Sequence, residues 1–147
     1  MEDLAGQTAP QQRSLSRVLR VLVVDDDRDF VLSLSALLRT EGYGTRGLHD
    51  AKNILWHVQE YDPDAVILDI AMPGRTGWEA ARAIRAGLPR KRPILVGISG
   101  HHTRGSDRLH SQASGFDFYL MKPCDPKVLL TLMHWLQIDS PFRSSFR

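Results

Sequence analysis

A single cysteine, Cys124, occurs in the 147 residues, so no disulfide can close within the chain and nothing indicates an oxidising compartment. Placed just before Asp125-Pro126, it reads as small filler rather than as a nucleophile. Long apolar runs are missing too. The best of them, residues 18–24, is broken by Arg20 and closed by three aspartates, too short to span a bilayer and without signal-peptide flanks. These absences lead to the expectation of a cytoplasmic protein with no membrane contact. No GxxxxGK[ST] occurs, nor a GxGxxG after a strand, so nucleotide binding has no support. Neither charge sign dominates: 19 basic against 17 acidic residues leave +2. The small basic clusters, Arg13/Arg17/Arg20, Arg90-Lys91-Arg92 and Arg143/Arg147, read as solvated faces and tails, and no direct nucleic-acid contact is expected.

What is present is the composition of an ordinary globular domain, 42% hydrophobic and 24% charged. The polar, aperiodic residues 1–16 read as a flexible tail, 17–139 as one domain, and 140–147 as a short tail. Residues 18–24, 43–48, 65–68, 94–98 and 116–121 have the length and apolar content of strands. The second is glycine-rich and suits a sheet edge. Helical spacing follows each one. Phe30, Val31, Leu34, Leu37 and Leu38 mark a helix over 28–41 that Gly42 stops, and Ile54, Leu55 and Val58 mark one over 50–59. Ala80, Ala81 and Ile84 mark a third over 78–86, and a polar helix is expected over 103–114. Val128, Leu129, Leu132, Met133 and Leu136 are expected to face inward from a last helix over 125–138. Five strand–helix repeats predict an α/β fold with a parallel sheet.

Right-handed crossovers would then put every strand C-terminus on one rim. A lone Asp69 after the apolar run 65–68 could be a mere turn residue. With its neighbours on that rim it reads differently, because Asp25, Asp26, Ser99 and Lys122 end the other strands. Three crowded carboxylates must share protons or hold a cation, and hard oxygen ligands with room for water suit Mg²⁺. An ammonium and a hydroxyl facing the same point add donors for anionic oxygens. Such a set fits phosphoryl transfer with Asp69 as nucleophile and an acyl phosphate as product.

The segments VLVVDDD (21–27), VILDIAMPGRTG (66–77), ILVGISG (94–100) and FYLMKP (118–123), in this order, make the chain resemble a response-regulator receiver domain of bacterial two-component signalling. That resemblance implies a flavodoxin-like, doubly wound, five-stranded parallel sheet of order 2-1-3-4-5 with five helices. It implies Asp69 as phosphoacceptor, Asp26 as a direct Mg²⁺ ligand, Asp25 acting chiefly through water, and the backbone carbonyl of Ala71 as a further ligand. Ser99 and Lys122 take the places of the family's hydroxyl residue and lysine, and Tyr119 that of its switch aromatic. A cis peptide before Pro123 is expected to aim the lysine inward. The resemblance also implies a histidine kinase or histidine phosphotransfer protein as phosphoryl donor, and a downstream protein partner or a second copy as the listener. It makes the chain a phosphoacceptor that catalyses only its own phosphorylation and dephosphorylation, not an enzyme of the ordinary kind.

Other residues have plainer readings. Asp27 and Asp29 suit the N-terminal turn of a helix rather than a metal. His101 and His102 are adjacent and so do not converge on one ion, but His101 follows Ser99 by two and is expected to tune dephosphorylation. Ala71, where relatives often carry a polar side chain, leaves hydrolysis tuning open. Trp56, Trp78 and Trp135 occupy helical positions and read as packing or partner surface. About nine residues follow Ile138, so a DNA-binding output module is not expected in this chain, which reads as a stand-alone receiver or one excised from a hybrid kinase. Two alternatives compete. An aspartyl phosphatase resembling the haloacid dehalogenases would need a second Asp where Ala71 stands. A pseudo-receiver binding partners without chemistry would not need the complete acid, hydroxyl and lysine set.

Overall fold

The computed structural model describes residues 18–72, 74, 76–90, 93–100 and 115–139, with the side chains of 136–139 excepted. In chain order the elements are β1 (Arg20–Val24), α1 (Arg28–Thr40), β2 (Gly44–Leu48), α2 (Ile54–Tyr61), β3 (Ala65–Asp69), α3 (Gly77–Gly87), β4 (Ile94–Ser99), β5 (Phe118–Met121) and α4 (Pro126–Asp139). The strands form one parallel sheet of order β2-β1-β3-β4-β5, the order the resemblance implied. Four of the expected helices lie among the described residues. The one expected over 103–114, together with His101, His102 and both tails, lies outside them.

Burial explains why the apolar runs are strands. Every residue of β3 and of β4 is buried, while the edge strands β2 and β5 are mostly half-buried or exposed. Successive side chains point to opposite faces of the sheet. Val21, Val23, Ile67 and Val96 therefore meet Leu34 and Leu38 of α1 and Leu129 and Met133 of α4. On the other face Leu22, Val24, Val66, Leu68 and Leu95 meet Ile54 and Val58 of α2 and Ala80, Ala81 and Ile84 of α3. Each fully buried aliphatic side chain contributes about 1.5–3 kcal/mol of transfer free energy, so the two layers together hold the sheet rigid beneath its rim.

Three details depart from the sequence-based reading. The helix expected from residue 50 begins only at Ile54, because the Asp50 carboxylate accepts from the Lys52 N–H at 2.8 Å and Asn53 takes a left-handed conformation (φ 56°). Such a side chain-to-backbone bond competes with the first helical turn. Val128 faces solvent, 49% exposed, rather than inward, and Leu129 and Met133 carry the buried face of α4. The last strand starts at Phe118, since Phe116 packs instead against the α2/α3 layer, its ring edge-on to Trp78. Elsewhere the signals hold. Gly42, at φ 96°, ends α1, and its N–H donates to Arg39 O at 3.0 Å.

Candidate functional site

Register builds the rim. Val24 pairs with Leu68, so the next residues, Asp25 and Asp69, emerge side by side. The Ile70 N–H donates to Ile98 O (2.9 Å), and the Lys122 N–H to Ser99 O (2.7 Å), which ties the ends of β3, β4 and β5 together. Asp25 N–H donates to Leu48 O at 3.0 Å. The four strand ends named from the sequence therefore converge, and Asp25 (1% exposed), Asp69 (6%) and Ser99 (5%) are buried there.

Carboxylate oxygens of Asp25, Asp26 and Asp69 all lie within 4.8 Å of one another, with Asp26 open to solvent. Two buried acids and one exposed acid, sharing one small volume, form an oxygen donor set that could hold a hard divalent cation while leaving room for water. Backbone groups hold two of the acids in place. The Asp27 N–H donates to Asp25 Oδ1 (2.9 Å), and the Ala71 N–H donates to Asp69 Oδ1 (3.1 Å). Asp27 itself is the N-cap of α1, accepting from the Phe30 N–H at 3.2 Å, and Asp29 lies in that helix's first turn, which is the role expected for both.

Lys122 Nζ reaches back across the rim to Asp25 Oδ2 at 2.6 Å and to Asp69 Oδ2 at 3.6 Å. Its closest anionic partner is thus Asp25, not the central Asp69. Burial of the ammonium acts to lower its pKa, but the Asp25 hydrogen bond and the Asp69 and Asp25 charges outweigh that and hold it above 10.5. Asp69 moves the other way from an ordinary carboxylate. Burial, and then the neighbouring Asp25 charge, raise its pKa from 3.8 to about 6, against the opposing pull of the Ala71 N–H and Lys122. An acid that resists ionising among other acids is one that a cation would relieve.

The peptide bond between Lys122 and Pro123 is cis, as expected. Tyr119 is half-buried with its hydroxyl enclosed and without a hydrogen-bond partner among the described residues. Cys124 is half-buried against the α1/α4 layer, its thiol pKa raised by burial and by Asp125, which fits a packing role. Trp78 is packed while Trp56 and Trp135 are about half exposed. One residue escaped the sequence reading. Phe30, read only as part of the hydrophobic stripe of α1, places its ring centroid 4.8 Å from the Lys122 ammonium. Its only sequence signal was its position in the turn directly after the aspartate run.

The family model for the response regulator receiver domain matches residues 21–134. The chain belongs to the response-regulator receiver domain family. This receiver is 38% identical over 113 residues to the DNA-binding response regulator MtrA of Mycolicibacterium paratuberculosis, covering 76% of the chain and 48% of that protein. It is 34% identical over 112 residues to the CAI-1 autoinducer sensor kinase/phosphatase CqsS of Vibrio cholerae, covering 76% of the chain and 16% of that protein. The chain thus spans about half the length of the MtrA relatives it matches and a small part of the sensor kinase. Among solved structures, the Vibrio cholerae chemotaxis protein CheY4 superposes with TM-score 0.74 at 27% identity, covering 80% of this receiver and 98% of CheY4. A CheY-like receiver domain protein from Methanospirillum hungatei gives 0.75 at 25% identity, covering 82% and 94%. No helix among the described residues is long and apolar enough to cross a membrane.

Proposed function

We infer that this receiver is a phosphorylation-activated signalling switch whose phosphoacceptor is Asp69, within a receiver unit spanning 17–139. The observation that supports it best is the juxtaposition of a buried Asp69, two further carboxylates within 4.8 Å and the Lys122 ammonium on the C-terminal rim of the sheet. A phosphohistidine on a histidine kinase or phosphotransfer protein is the donor. An Asp69 carboxylate oxygen attacks phosphorus, a P–O bond forms, the P–N bond breaks, and its electron pair stays with the imidazole, which takes a proton from solvent. Asp25, Asp26, Asp69 and the Ala71 carbonyl would hold Mg²⁺, which when bound supplies positive charge against the phosphoryl oxygens. Lys122 trades Asp25 for a phosphoryl oxygen, and the Ser99 hydroxyl donates to another. Tyr119, whose hydroxyl has no described partner to hold it, follows Ser99 and carries the change to the surface of β5 and α4. There a downstream protein, or a second copy, gains or loses its contact in the cytoplasm. The same rim catalyses dephosphorylation by water.

Intact mass after incubation with Mg²⁺ and acetyl phosphate tests this. Wild type should gain about 80 Da, the mass of one phosphoryl group on an aspartyl nucleophile, only with Mg²⁺, and Asp69→Asn should gain nothing. An adduct that persists in Asp69→Asn refutes Asp69 as acceptor. No adduct from acetyl phosphate or from a phosphorylated histidine phosphotransfer domain, with spectra unchanged by BeF₃⁻, would instead make the chain a pseudo-receiver.

A further inference from the structure

Lys122 must do two things in the proposed reaction: stay at the rim, and let go of Asp25. A lysine is a flexible four-carbon stem with a strongly hydrated head, so nothing in its own chemistry keeps it there. Its side chain is only 24% exposed, so something besides the two carboxylates covers it. The Phe30 ring stands over its head, the ring centroid 4.8 Å from Nζ. The ring is itself held at two points. Its backbone N–H is bound by the Asp27 cap at 3.2 Å, and its half-buried side chain packs against the α1/α4 layer of the core. The ammonium has three N–H donors. Asp25 takes one at 2.6 Å and Asp69 attracts the head at 3.6 Å, which leaves the ring as the apolar side of its pocket.

An aromatic face attracts a cation without accepting its proton or competing with a phosphoryl oxygen for a strong hydrogen bond. A carboxylate in the same place would hold the lysine back, and an open site would release it to water. We propose that Phe30 is a positioning residue for Lys122: its ring braces the ammonium at the rim and stays against it as the lysine exchanges Asp25 for a phosphoryl oxygen on Asp69. The role rests on Asp69 phosphorylation, whereas the contact between ring and ammonium does not.

The experiment uses the full chain and Phe30→Leu, which keeps an apolar side chain and removes the ring, beside Phe30→Tyr, which keeps it. In the unphosphorylated protein, the Lys122 Hε protons should show an upfield ring-current displacement that is lost in Phe30→Leu and retained in Phe30→Tyr. The rate of Asp69 phosphorylation by acetyl phosphate should fall roughly two- to fivefold in Phe30→Leu, the effect of a partly exposed cation–π contact, and recover in Phe30→Tyr. In a Lys122→Met background Phe30→Leu should change the rate no further, which a merely structural role would not predict. If Phe30→Leu does not fold, Phe30→Met takes its place. Wild-type rates in Phe30→Leu, or an equal loss in the Lys122→Met background, overturn the proposal. Absence of any adduct in the wild type, from acetyl phosphate or from a phosphorylated histidine phosphotransfer domain, overturns the phosphorylation reading and the role with it, while a missing ring-current displacement overturns the contact and the bracing role and leaves the phosphorylation reading standing.

Discussion

Replacing Asp69 by Asn should make the metal-free protein more stable, and the gain should depend on pH in a defined way. The carboxyl is 6% exposed and its pKa stands at about 6 instead of 3.8, because burial and then Asp25 oppose its ionisation. Below 3.8 the group is protonated in both the folded and the unfolded chain and costs nothing. Between 3.8 and about 6 the unfolded chain releases the proton while the folded one keeps it, so stability falls as pH rises. Above about 6 both forms are ionised and the whole cost is present. At about 1.4 kcal/mol per tenfold in proton affinity, the displacement from 3.8 to about 6 caps that cost at about 3 kcal/mol. Asparagine keeps an oxygen for the Ala71 N–H, which Asp69 now binds at 3.1 Å, and the pull of Lys122 at 3.6 Å is already contained in the value of about 6. The net gain expected near neutral pH is therefore about 1–3 kcal/mol. Urea unfolding in EDTA from about pH 4 to about pH 8 measures it. The two curves should nearly meet at the acid end and separate through the window to a plateau. Saturating Mg²⁺ should narrow the gap by stabilising the wild type more than the variant. A gap that is independent of pH, or a less stable Asp69→Asn at neutral pH, would refute the reasoning.

Two structural predictions bear on what holds the rim in place. Arg85 of α3 donates to Pro93 O (2.7 Å), twice to Gly115 O (3.0 and 2.9 Å) and to Asp117 Oδ2 (2.6 Å), while Asp117 also accepts from the Leu95 N–H. Arg85→Met should cost about 2–4 kcal/mol in urea unfolding, since it takes the cation from a partly buried carboxylate and the side-chain donors from two carbonyls; a loss under about 0.5 kcal/mol, the level of an ordinary surface substitution, would contradict this. At Gly77 a Cβ would stand 2.6 Å from Asp69 O and from Ile70 Cα, backbone atoms that yield only by displacing the main chain. Gly77→Ala should cost about 1–3 kcal/mol and also slow phosphorylation by shifting the Asp69 main chain; full stability with a normal rate would show that the loop yields freely.

Much of this molecule was legible in its residues taken in order. Apolar runs of strand length, each followed by helical spacing, predicted the α/β repeat, because burial on two faces of a parallel sheet demands such runs. The acids, hydroxyl and lysine were visible as strand-terminal residues, and a parallel sheet gathers such residues on one rim. The resemblance, not the periodicity, supplied the strand order that the sheet then displayed. What only the tertiary structure decided is which of these groups touch. Lys122 takes Asp25 at 2.6 Å from 97 residues away and leaves Asp69 at 3.6 Å. Phe30, one apolar residue among several on α1, becomes the wall behind that ammonium. Val128, apolar and at helical spacing, turns outward. The raised pKa of Asp69 likewise belongs to the fold, not to the aspartate. Periodicity reports which face of an element is buried, a local property carried by each segment. Hydrogen bonds and charge interactions depend on separations of a few ångströms between segments distant in the chain, and those exist only once the sheet has set its register.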